Sequence, residues 1–219
     1  DFISSILPQL KSGHDALHEG SSPLPYLAAL VAFSPYDIAI HDAFGNLHGK
    51  SVFSLLGSDW LNRDLAYYLE PKDAFNGRYP GDYLVSAADR LPVWHLVGGL
   101  DALERFDLEG NEPDDGYPVL LREWIREDGL NCLKVKLRGT DFEWDCRRLE
   151  SIGNIAAEEG VDWLSADFNC TVTDPGYVND ALDRLKRDSP LTYEKLLYVE
   201  QPFPYDLAAH QIDVHTVSQ

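Results

Sequence analysis

Methionine is absent from this 219-residue chain, cysteine occurs three times, and 18 Lys and Arg face 37 Asp and Glu. The resulting formal charge of -19 at pH 7 argues against the broad basic surface that a nucleic acid or an acidic membrane requires. The surplus acid is spread along the chain, which reads as solubility. An anionic substrate must therefore be held by a local positive site that works against the overall field. Cys132, Cys146 and Cys170 are odd in number and form no CxxC, so neither a disulfide framework nor a cysteine zinc site is expected, and a reducing cytoplasm fits. No apolar run approaches the roughly 18 residues of a membrane span, and no signal peptide is present. The chain begins at Asp1 rather than Met, and the expectation is a piece of a longer protein.

What is present supports a real core, since 44% of residues are hydrophobic, enough for one or two domains. Residues 1–60 read as helical. Ser34-Pro35-Tyr36-Asp37 has the form of a helix start, with an N-cap serine and proline at the first position. Ile40, Ala43, Phe44 and Leu47 follow at helical spacing, and Gly49 is the expected stop. Leu65 to Leu69 and Leu91 to Val97 read as strands, and residues 71–118 as a possible insertion rich in Gly, Pro and Asp. From Tyr117 the rhythm is regular: helix from Leu120 to Arg126, strand from Leu130 to Leu137, helix from a capping box at Thr140-Asp141-Phe142-Glu143 to Gly160, strand from Trp163 to Phe168, helix from Asp174-Pro175, and strand from Leu196 to Val199. Strands alternating with helices imply parallel pairing through right-handed crossovers.

Chemistry collects where these strands end. Lys136, Asp167 and Glu200 are separated by 31 and 33 positions, about one strand–helix unit each, so parallel pairing gathers them on one edge. Successive side chains of a strand face opposite sides. The alternation in Leu133-Lys134-Val135-Lys136-Leu137 turns both lysines away from the helices, and the same parity groups Ser165, Asp167 and Asn169, and Tyr198 with Glu200. Two desolvated ammonium groups repel, which predicts at least one depressed lysine pKa and hence a base near neutral pH. Paired carboxylates on adjacent strands suit a hard cation, and Mg²⁺ prefers oxygen ligands. The competing reading is that the same charges only form salt bridges with one another.

The order Lys134-Val135-Lys136, then Asp167-Phe168-Asn169, then Glu200-Gln201-Pro202 resembles the enolase superfamily, particularly its mandelate racemase and muconate lactonizing branches. Residues Ser34 to Lys50, with Leu55-Leu56-Gly57, resemble the last capping-domain helices that precede that family's barrel. The resemblance implies an α/β fold: a partial (β/α) TIM-type barrel over 61–219, about strands 1 to 4, preceded at 1–60 by the helical part of an α+β capping domain. It implies Mg²⁺ held by Asp167 and Glu200, with Asn169 beside the metal or substrate. It further implies Lys136 as the base that removes a proton α to a carboxylate, and Lys134 as its partner on the substrate carboxylate. An enediolate would form, leading to racemisation or epimerisation, cycloisomerisation or acid-sugar dehydration. The partners expected are a small carboxylate and further copies of the chain, with no nucleic acid and no membrane. The family's third acidic ligand and its opposing acid–base residues are expected beyond Gln219. Two other readings stand beside this one: a non-catalytic homologue serving as scaffold or oligomer partner, and a metal-dependent lyase or hydrolase in which Lys136 is an electrophile.

Other residues read as structural. His14 and His18 stand at i, i+4 on a solvated helix, Cys170 packs, Tyr67 and Tyr68 belong to a core, and Trp94 and His95 border the pocket only if the strand carries them there.

Overall fold

The computed structural model describes residues 5–206 and 209–217; the first four residues of the helical segment expected at 1–60 lie outside them. The chain divides into two compact units on either side of Ala87–Ala88. The first is helical, with α1 (Leu7–Leu17), α2 (Tyr26–His48), α3 (Lys72–Phe75) and short 3₁₀ turns. No helix among the described residues is long and apolar enough to cross a membrane.

The predicted helix start at Ser34-Pro35 is overturned, because α2 begins at Tyr26 and carries Pro35 inside it. Proline removes the N–H that would bond the Val31 carbonyl one turn earlier. The Ser34 hydroxyl donates to that carbonyl instead, at 2.8 Å, so the apolar stretch upstream continues as helix. Gly49 ends α2 as expected, in the left-handed conformation at φ 60°. The strand expected at Leu65–Leu69 is a 3₁₀ turn over Leu65–Tyr67, and Tyr67 and Tyr68 are exposed rather than core.

The second unit is a mixed α/β layer: β1 (Trp94–Val97), α4 (Leu121–Asp128), β2 (Cys132–Lys136), α5 (Phe142–Glu159), β3 (Trp163–Asp167), α6 (Pro175–Asp188), α7 (Pro190–Lys195) and β4 (Leu196–Glu200). The four strands are parallel and lie in chain order β1-β2-β3-β4. β1 is shorter than the run from Leu91 suggested, since Pro92 cannot donate to a ladder. The segment 71–118 contains β1 itself.

Alternation decides which face the helices cover. Leu133, Val135 and Leu137 of β2 and its extension, with Leu164 and Ala166 of β3 and Phe168 just past it, are buried in one cluster with Ile125, Leu149, Ile152, Val178 and Leu185 of the helices. α5 is capped by Asp141, whose carboxylate accepts from the Trp144 amide at 3.1 Å; the cap lies one residue beyond the expected Thr140. β4 carries one residue more than β3 between Leu164↔Leu196 and Ser165↔Tyr198. That bulge lets Leu196 pack with Val199 against the core and still turns Tyr198 and Glu200 to the lysine face.

The close packing of α5 on α7 rests on Gly153. A Cβ built there would lie 2.0 Å from the hydroxyl of buried Thr192. Alanine normally favours a helix over glycine by about 1 kcal/mol, yet Gly153→Ala should destabilise the unit by about 1–3 kcal/mol through overpacking. Urea unfolding checks this, and Gly153→Ala combined with Thr192→Ala should recover part of the loss.

Candidate functional site

Lys134 is the central and Lys136 the last residue of β2, and Asp167 and Glu200 close β3 and β4. The ladders align Lys136 with Asp167, and Asp167 with Glu200. The sheet thus brings the four predicted ionisable residues to one strand-end edge, with Asn169 two positions past β3.

The contacts form one network. The Lys134 ammonium lies 2.7 Å from Glu200 Oε1 and 3.0 Å from Asp167 Oδ2. Lys136 donates to the same Asp167 oxygen at 2.5 Å and to Asn169 Oδ1 at 2.6 Å. The Asn169 backbone amide donates to Asp167 Oδ1 at 2.8 Å, and its side-chain amide to the Leu137 carbonyl at 3.2 Å. Asp167 is only 1% exposed at its side chain, and a buried anion is tolerated when cations and N–H donors surround it.

Backbone conformation marks the same edge. Asn169, Cys170 and Gln201 have φ of 53°, 61° and 41°, a region uncommon for residues other than glycine. They are held there by bonds between the two loops, Cys170 N–H to the Gln201 carbonyl at 2.7 Å and Val172 N–H to the Pro202 carbonyl at 2.9 Å. Such conformations cluster where surrounding structure over-determines a functional site.

Electrostatics correct one expectation. Lys134 is not depressed: hydrogen bonding to Glu200, against the opposing pull of desolvation and with Asp167 adding to it, raises its pKa above its ordinary value. The repulsion that a strand-only reading implies is offset because each ammonium meets a carboxylate. Burial pushes the Asp167 carboxyl up, but Lys136, the Asn169 amide and Lys134 together bring it below its ordinary value.

Trp94 shares the lysine face and its ring meets Tyr198 at 5.5 Å, across a curled sheet whose intervening Cys132 and Ser165 are small and buried. His95 turns the other way, onto Trp124 at 5.3 Å. His14 and His18 stack at 4.3 Å on α1. A cavity of about 690 Å³ opens beside β1, lined by His95, Asp101 and Trp124 among others, and none of the five strand-end residues lines it.

Asp145 was missed by the sequence reading. It is fully buried, and accepts from the Arg138 and Gly139 amides at 2.8 Å each and from the Tyr177 hydroxyl at 2.7 Å. It thereby fixes the loop that follows the two lysines. Its position three residues after Phe142 and four before Leu149 places it on the buried side of α5, which was the available signal.

Among the described residues, no group of three or more His, Cys, Asp and Glu side chains gathers as a metal centre. Asp167 and Glu200 nevertheless share one cation, the Lys134 ammonium. Paired carboxylate oxygens are the donor type that Mg²⁺ takes, and here they meet an ammonium. Comparisons of the chain with protein-family models, curated proteins and solved structures found no match.

Linkage gives the pH window. The Asp167 contribution to stability is present above its ordinary value of 3.8 and is lost as pH falls through the lowered native value. The Lys134 contribution is present below its ordinary 10.5 and is lost as pH rises through the raised native value. Chemical unfolding of wild type and Asp167→Asn across pH should therefore show a stability gap that is constant near neutrality and closes on acidification below about 4. A gap independent of pH would contradict the ion-pair assignment.

Proposed function

We propose that the chain carries the base and part of the metal site of an enzyme that abstracts an α-proton from a carboxylate, in the manner of the enolase superfamily. The observation that carries this reading is the register itself, in which Lys136, Asp167 and Glu200 are successive neighbours across three parallel strand ends. In parallel α/β folds, strand C-termini are where catalytic side chains converge. Sequential strand order with the core helices packed on one face supports a partial TIM-type barrel, since a doubly wound sheet would carry helices on both faces. The helical first unit supports the capping-domain reading.

In this reading Lys136 takes the α-proton, and Lys134 faces the substrate carboxylate as negative charge develops there. Asn169 orients Lys136 through the 2.6 Å contact to its side-chain oxygen. Mg²⁺ held by Asp167 and Glu200 would supply electrostatic stabilisation to that same developing charge. Beside the lysines on this face Cys132 and Ser165 are buried, and the rings of Trp94 and Tyr198 meet. The outcome is racemisation or epimerisation, cycloisomerisation or dehydration, in a cytoplasmic homo-oligomer.

A second reading, a non-catalytic homologue that acts as scaffold or oligomer partner, is favoured by the closure of the network. Lys134 has its charged form stabilised rather than weakened, which also suits a purely structural ion-pair cluster.

One assay separates the two. A panel of carboxylic acids bearing an α-proton, incubated with the full-length protein and Mg²⁺ in deuterated buffer, should give wild-type exchange that Lys136→Ala slows by about 10²-fold or more. Equal exchange by wild type and variant removes Lys136 as the base; no exchange across the panel supports the scaffold.

A further inference from the structure

We propose that Lys134 is a tethered counter-ion: it occupies the seat of the divalent cation between Asp167 and Glu200, and surrenders it when the metal binds. The inference rests on the reading of those two carboxylates as metal ligands and adds an order of events to it. Binding of the metal frees the Lys134 ammonium to meet the substrate carboxylate, so the metal precedes the anion.

The geometry supplies the argument. Lys134 contacts both acids, at 2.7 and 3.0 Å, whereas the Lys136 contacts are to Asp167 and Asn169. Mg²⁺ holds its oxygen ligands at about 2.0–2.1 Å, so ion and ammonium cannot share the place. A lysine has a flexible four-carbon stem and can swing aside. Asp167 does not need to move when it leaves. Its Oδ1 is pinned by the Asn169 amide at 2.8 Å, and Lys136 still neutralises its Oδ2. Glu200, with a side chain 27% exposed against 1% for Asp167, has room to adjust to the smaller ion. With its ammonium in the seat, Lys134 is paired to carboxylates and is not offered to an incoming anion.

Mn²⁺ binding, measured by isothermal titration calorimetry at fixed pH and ionic strength, tests this on the full-length protein as wild type, Lys134→Met and Lys136→Met. Both variants remove one positive charge from the same strand, so Lys136→Met controls for general electrostatics. Lys134→Met should bind Mn²⁺ about tenfold or more tighter than Lys136→Met does, the size expected when a unit charge within a few ångströms no longer has to be displaced. Equal tightening in the two variants overturns the proposal. Wild-type protein provides a readout that survives a poorly folding variant: acetylation of Lys134 by acetic anhydride, followed by mass spectrometry, should rise on saturation with Mg²⁺. Unchanged labelling also overturns it. If none of the three proteins binds Mn²⁺, the metal reading of the site fails and this inference fails with it. Wild-type binding without any advantage for Lys134→Met removes the inference alone.

Discussion

A carboxylate almost sealed from water at the end of β3 is the constraint from which the rest of this edge follows. Asp167 is 1% exposed at its side chain, and an isolated anion there would be neutralised by protonation or would carry a penalty of several kcal/mol. Two lysines from β2 and an amide from Asn169 keep it ionised. That requirement fixes the register of β2 on β3. The bulge in β4 then brings Glu200 alongside, because without the extra residue Leu196 and Glu200 could not both face the correct way. Lys134 is the consequence: it must answer to two acids at once.

The helices and loops hold this edge from the other side. Small residues let the layers approach, as Gly153 does under Thr192. Buried Asp145 ties the loop after β2 to Tyr177 on α6. Burial first, and then the bond to Asp145, raises the Tyr177 hydroxyl pKa, which keeps it a donor. The left-handed residues after β3 and β4 let the two loops bond to each other. Rigidity at the rim is thus built from backbone bonds, while the charged side chains inside it remain the adjustable part.

Much of this was legible in the sequence, for a simple reason. Leu133, Val135 and Leu137 alternate with Lys134 and Lys136, and a period of two specifies a face whatever the tertiary context. The spacing of Lys136, Asp167 and Glu200 reports the strand–helix repeat. What escaped depended on partners remote in sequence. The raised Lys134 pKa escaped because β2 alone shows only two ammonium groups, whereas Glu200 lies 66 residues from Lys134. Ser34-Pro35 looked like a helix start because a hydroxyl bond back to Val31 is invisible to local patterns. The stretch Leu65–Tyr67 has strand-like residues but no strand beside it, and β-propensity without a neighbour decides little.

In the proposed site one cation seat is taken in turn by the Lys134 ammonium, which bridges Asp167 and Glu200, and by a metal ion. Anomalous diffraction at the manganese edge, on crystals of the chain equilibrated with Mn²⁺, tests it most directly. A single peak shared by the Asp167 and Glu200 carboxylates, with Lys134 withdrawn from both, is the predicted result. Lys134 still bridging the two acids, with manganese bound elsewhere or nowhere, would contradict it.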